Sequence, residues 1–218
     1  MSTVTPSRFE RACAAIDAAN AEDPTEVRIE LGRDGRVLTG PKEIVHAQLM
    51  DEWVRRLDPA ADEWQLLAAR AHHVRRWEYP RSSEPDGRAG YLRWRTEARR
   101  RHASIVEELL AGAGYDGDEI ARVRSIVAKE GLGRGGLPDV DGRSPAVQVH
   151  EDALCLVFLE TQLLETADRL GDGPTVDVLV KTLPKMSGHG RAAAFAPELG
   201  PRGRALVDSA LERFTASP

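Results

Sequence analysis

Residues 41 to 57, Pro-Lys-Glu-Ile-Val-His-Ala-Gln-Leu-Met-Asp-Glu-Trp-Val-Arg-Arg-Leu, decide how the chain folds. At 100° per residue Val45, Leu49, Met50, Trp53 and Leu57 fall on one side, the period of an amphipathic helix rather than a strand. Pro41 suits the first helical position, and Asp58-Pro59 stops the run. The same signature predicts helices at about 6–20, 60–77, 90–113, 116–130, 149–170, 174–186 and 201–215. Residues 27–38, around Arg33-Asp34-Gly35, read as a small hairpin or a loop, and 79–89 and the glycine-rich 131–146 as long connections that suit loops bordering a site. The expectation is an all-α, single-domain bundle over residues 1–218, with its core at about 9–186 and a C-terminal helix beyond.

Composition narrows the setting. The longest uncharged apolar run, Ala153 to Leu159, is far shorter than the ~20 residues of a membrane span, and Met1 to Phe9 lacks a signal-peptide h-region. Two cysteines, Cys13 and Cys155, both inside apolar helical patterns, cannot build a disulfide scaffold or a four-thiolate zinc site. A cytoplasmic protein with no membrane partner is expected. The net charge is −5, yet residues 70–101 hold ten arginines against four acids. That segment predicts a small anionic partner, with nucleic acid the less favoured alternative.

Polar residues on apolar faces give the candidate site. His46 lies in the middle of the stripe quoted above, and His102 projects from the stripe of Tyr91, Trp94, Ala98, Ile105, Val106 and Leu109. His73 borders a second apolar patch with Leu66 and Trp77, whereas His72 shares a side with Gln65, Ala68 and Arg76 and reads as the more exposed of the two. Asp152 lines up with Leu156, Leu159 and Leu163 on a helix apolar almost all round, and Glu151 with Cys155 and Phe158. Each residue taken alone is an ordinary hydrogen-bonded core group or a helix-start acid. Together, imidazoles and a carboxylate from four helices predict a divalent metal, iron, manganese, zinc or nickel, held by His46, His73, His102 and Asp152, with His72 as the alternative ligand. Glu151 is then the candidate catalytic base, and Arg75, Arg76, Arg81, Arg93 and Arg95 the candidate anion-binding residues.

The absence of G-x-G-x-x-G, G-x-x-x-x-G-K-[ST], H-E-x-x-H and G-x-S-x-G argues against dinucleotide folds, P-loops, zincins and α/β-hydrolases. Pro41-Lys42-Glu43, His46-Ala47-Gln48, Ala69 to Trp77, Tyr91 to Arg95, His102-Ala103 and Glu151 to Glu160 occur in the order seen in the family catalogued as domain of unknown function 4202, which the chain resembles from about Phe9 to Met186. That family carries no established activity. The chain is also similar, more loosely, to the HD superfamily of all-α metal-dependent phosphohydrolases and their di-iron oxygenase relatives. There a histidine on one helix, a His-Asp pair ending the next and a later aspartate hold the metal. His46, His72-His73, His102 and Asp152 follow that order, but His72-His73 stands where the superfamily has His-Asp. A mononuclear site, an altered activity or a site used only for binding each fit that departure. The resemblance implies a hydrolase acting on a phosphorylated small molecule. An iron-dependent oxygenase and a non-catalytic arginine-rich module that binds RNA or protein are the alternatives.

Overall fold

A computed structural model describes residues 5–133, 135–140, 142–195 and 198–216; the chain ends and Arg134 and Asp141 of the glycine-rich connection lie outside them. The architecture is all-α. Helix α1 (Arg8–Asn20) leads into an antiparallel hairpin, β1 (Glu26–Glu30) and β2 (Val37–Pro41), followed by α2 (Lys42–Leu57), α3 (Glu63–Ala71), α4 (Arg88–Ala113) and α5 (Gly117–Ala128). After the glycine-rich connection come α6 (Ala146–Thr161), α7 (Leu163–Leu170), α8 (Asp172–Thr182), the short α9 (Gly188–Ala193) and α10 (Gly200–Ala216).

Local chemistry sets these boundaries. Ser7, Asp62 and Asp116 each accept from the backbone three residues on, while Glu10, Gln65 and Glu119 bond back to the cap, so α1, α3 and α5 all begin with a reciprocal capping box. The hairpin pairs Glu26 with Pro41 through Glu30 with Val37, and Gly35 takes the left-handed conformation its turn requires. Pro41 therefore closes the strand and caps α2 from outside rather than opening the helix. Asp23 completes that junction by accepting from the backbone N–H groups of Thr25 and Glu43.

Two expected helices are shorter than their periodicity suggests. The helix expected to reach Trp77 ends at Ala71; residues 72–75 form turns, and Arg75 adopts a left-handed conformation at φ 50° before a single 3-10 turn, Arg76–Glu78. The run from 149 to 170 breaks at Gln162 into α6 and α7.

The apolar residues gather in two clusters. One joins α2 and α6 to α8 and α10 through residues such as Leu49, Leu156, Leu179 and Val207; the other joins α1 and α3 to α4 and α5 through Ile16, Leu67, Leu110 and Val123. Helix α3 contributes Leu66 and Ala69 to the first and Leu67, Ala68 and Ala71 to the second. The histidines emerge where α3 ends, between the two clusters. Away from them, Arg33 in the hairpin turn pairs with Glu160 on α6 and Glu52 on α2, and the Trp53 indole donates to Glu160 at 3.0 Å, which clasps the hairpin to the bundle.

Candidate metal centre

The early end of α3 assembles the site. Leaving the helix at His72 turns both His72 and His73 inward, toward His46 on α2: the His46 and His73 rings lie 4.3 Å apart, and those of His72 and His73 4.4 Å apart. His150 on α6 stacks edgewise on His72 at 4.6 Å, with His150 Nε2 and His72 Nδ1 2.7 Å apart, and His102 on α4 lies 6.2 Å from His73. Five of the six histidines thus form one cluster. The carbonyl that Val74 frees by leaving the helix accepts from His102 Nδ1 at 2.9 Å, which fixes the tautomer and leaves Nε2 as the acceptor of that ring.

Beneath His46 and His73 lies Glu43, in the first turn of α2. One ligand atom from each of Glu43, His46 and His73 lies within 4.8 Å of the others. Glu43 Oε2 faces His73 Nδ1 at 3.4 Å. Both Glu43 Oε2 and His46 Nε2 are buried without a hydrogen-bond partner among the described residues. Orphaned polar atoms of this kind are costly unless something satisfies them. A single cation among the three residues would do so, and two imidazoles with a carboxylate suit zinc, iron or manganese. The residues present therefore fit a divalent metal.

Burial dominates the electrostatics. It holds His46 and His150 down at about 3 and His102 at about 4, and holds His72 and His73 well below the ordinary imidazole value, with neighbouring positive groups acting in the same direction. All five imidazoles are neutral at pH 7, the form that ligates. Burial also raises Glu43 to about 7, with Arg76 opposing and Asp23 reinforcing the shift.

The cluster forms part of a cleft of about 640 Å³. Among the described residues its cations are Arg76, Arg95, Arg99, Lys129 and Lys185, and its one acid is Glu151; Trp94, Leu154 and Phe158 supply apolar wall. Arg76 lies over Trp94 at 5.1 Å and donates to His73 Nε2 at 2.7 Å. Arg95 and Arg99 have no hydrogen-bond or ion-pair partner among the described residues, and burial together with the Arg95 charge lowers the Arg99 pKa. Lys129, left-handed at φ 55° as the C-cap of α5, pairs with Glu151.

The match to the model of the family described as domain of unknown function 4202 runs over residues 10–207, taking in every element of the cleft. The chain belongs to that family. No curated protein and no solved structure matches it.

For this DUF4202 chain the sequence-derived residues divide clearly. His46 and His73 meet at the floor, His102 stands beside them, and Arg76 and Arg95 line the cleft. His72 is buried at 7% exposure rather than being the outer member of its pair, because the wheel that placed it outward assumed a helix that has already ended. Asp152 is not in the ligand group of Glu43, His46 and His73: it accepts from the Ser187 N–H and hydroxyl and from Gln148, tying α6 to the start of α9. Glu151 reaches the cleft, but as the partner of Lys129 rather than as an unpaired base. Arg75 pairs with Glu22, Arg93 with Glu84, and Arg81 holds the carbonyls of Glu84 and Pro85, so these three bind their own chain. Glu43, His150, Arg99, Lys129 and Lys185 escaped the sequence reading. Glu43 carried one weak signal, an acid beside His46 on the same helix, but acids in a first turn ordinarily answer the helix dipole.

Proposed function

We propose that this protein is a metal-dependent hydrolase of the HD type that acts in the cytoplasm on a small anionic, phosphorylated substrate. One observation carries the reading: His46 and His73 line a cleft whose charged wall is almost wholly cationic, and with Glu43 packed against them they form a candidate ligand set in which Glu43 and His46 carry orphaned buried atoms. A divalent cation held there supplies polarisation and a bound water whose pKa falls toward about 7. The chain does the rest. Arg95 and Arg99, without acidic partners, bind the anion; Lys129, oriented by Glu151, adds a further cation; Trp94, Leu154 and Phe158 exclude water from the charged floor. His102, with Nδ1 committed to Val74, offers Nε2 to accept or return a proton. The free thiols Cys13 and Cys155 suit a reducing compartment.

The test is metal content and turnover of untagged protein. We expect about one divalent ion per chain, loss of the ion in His46→Ala and His73→Ala but not in Asp152→Asn, and metal-dependent release of phosphate from phosphomonoesters that a chelator abolishes. Parent protein that holds no metal after loading, or variants that retain it, would overturn the reading.

Two histidines and one carboxylate are also the donors of non-haem iron oxygenases, so an iron enzyme on the same scaffold is the second reading. Its signature is oxygen consumption that requires iron and is not supported by zinc. An RNA-binding role through Arg75 to Arg101 has less support, because Arg75, Arg93, Arg100 and Arg101 are paired with Glu22, Glu84 and Glu97.

A further inference from the structure

His73 has one nitrogen on each side of the question. Its Nδ1 faces Glu43 Oε2 at 3.4 Å, the nitrogen that a cation between these two residues would take, and its Nε2 receives a hydrogen bond from Arg76 at 2.7 Å. Guanidinium is a donor only, so Nε2 must be the bare acceptor of a neutral ring and Nδ1 must carry the proton. A cation held between Glu43, His46 and His73 requires the opposite tautomer, with Nδ1 bare and the proton on Nε2. That N–H would then point at the N–H of Arg76 across the same short distance. Ligating histidines ordinarily turn their second N–H to an acceptor, and Arg76 is none. The two arrangements exclude each other.

Arg76 has somewhere to go. It has no ion-pair partner among the described residues, Trp94 supports its guanidinium, and it lines the cationic cleft on one side and a smaller cavity of about 330 Å³ on the other, next to Tyr79, Arg100 and Arg101. Arg75, left-handed just before it, ends the turn that brings His73 and Arg76 face to face.

We propose that Arg76 couples the cation to the anion: it holds His73 in the tautomer that cannot ligate, and metal coordination expels it from His73 into the cleft, where it binds the phosphoryl group of the substrate. The inference rests on the metal reading above. Coordination moves the ring proton of His73 from Nδ1 to Nε2 through solvent, and the ring neither gains nor loses a proton. Arg76 thereby weakens metal binding in the absence of substrate and strengthens anion binding once metal is present, and by linkage the anion tightens the metal in turn.

The experiment uses the full chain stripped of metal. Zn²⁺ affinity is measured by calorimetry for the parent, Arg76→Gln and Arg76→Lys, and inorganic phosphate affinity is measured with and without Zn²⁺. The histidine ring ¹⁵N spectrum follows the His73 tautomer, assigned with His73→Gln. Losing one charge-assisted hydrogen bond predicts that both variants bind Zn²⁺ about tenfold more tightly than the parent. They also lose most of the Zn²⁺-dependent gain in phosphate affinity, and in the parent the His73 proton moves from Nδ1 to Nε2 on adding Zn²⁺. Equal Zn²⁺ affinity in all three proteins, or a His73 ring whose tautomer does not change, overturns the coupling while leaving the metal site intact. Tightening in Arg76→Gln alone also overturns it, since charge repulsion would then suffice. A parent that does not bind Zn²⁺ at all removes the metal reading and this inference with it.

Discussion

Asp152 shows how far one residue's surroundings can be from what its position on a wheel suggests. A carboxylate on a buried helical face must be satisfied, and a metal was one way to satisfy it. Gln148, the Ser187 N–H and the Ser187 hydroxyl do so instead, and the absent side chain of Gly190 makes room: a Cβ there would sit 2.4 Å from the Asp152 carboxyl carbon. Gly190→Ala should therefore cost about 1–3 kcal/mol by forcing the carboxylate off its donors. Asp152→Ala should cost about as much, by leaving the buried Gln148 amide and Ser187 N–H short of an acceptor. Denaturant midpoints measure both, and neither variant should change metal stoichiometry; loss of metal in either would place Asp152 back among the ligands. Glu43 is the reverse case, an acid that looks like an ordinary first-turn residue and is buried at 5% exposure among imidazoles.

At the scale of elements, the junction of α5 with α6 depends on one buried pair. Lys129 takes a left-handed conformation that glycine would adopt without strain, and it places its ammonium on Glu151, both groups mostly buried. Lys129→Met leaves the Glu151 carboxylate buried and unpaired, a loss of about 3–5 kcal/mol. Pairing it with Glu151→Gln should recover most of that, and a double-mutant cycle in urea reads the difference. If Lys129→Met alone is neutral, the pair is not a buried one. Helix identities were legible because their apolar stripes are long and regular; the sequence around Gly35 left a hairpin and a loop equally open. The two interior breaks were not legible. Beyond Ala71 the stripe continues through Val74, and beyond Thr161 it continues through Leu163, so periodicity alone sees no interruption. His150 was missed for a related reason. The helix begins at Ala146, three residues before the expected start, so His150, next to the expected start, lies more than a turn inside it.

For the whole molecule, the histidine cluster between two apolar cores is a store of acid sensitivity whose sign can be worked out. Between the ordinary imidazole value and the depressed values near 3 to 4, the unfolded chain binds protons that the folded chain refuses at His46, His102 and His150, with His72 and His73 shifted in the same direction. The stability these residues lend is present above about pH 6.5 and is lost as pH falls through that window. Glu43 acts the other way. Raised to about 7, it keeps a proton in the folded chain that the unfolded chain has released, so it regains stability as pH drops from about 7 to its ordinary value. Five histidines outweigh one glutamate. At about 1.4 kcal/mol per proton per pH unit, a surplus of even two protons removes roughly 3 kcal/mol for each unit, a large share of the total stability of about 5–15 kcal/mol. Metal-stripped protein should thus unfold cooperatively between about pH 4 and pH 6, taking up at least two protons. His150→Gln should lower that uptake by about one, because the variant removes one depressed imidazole that is not among the proposed metal ligands. Urea unfolding at half-unit pH steps gives the slope directly. A stability curve flat from pH 7 to pH 4 would mean that these imidazoles are not buried together, and saturating Zn²⁺ should raise the curve by mass action where the ligands are neutral, an increment that fades as acid competes for them.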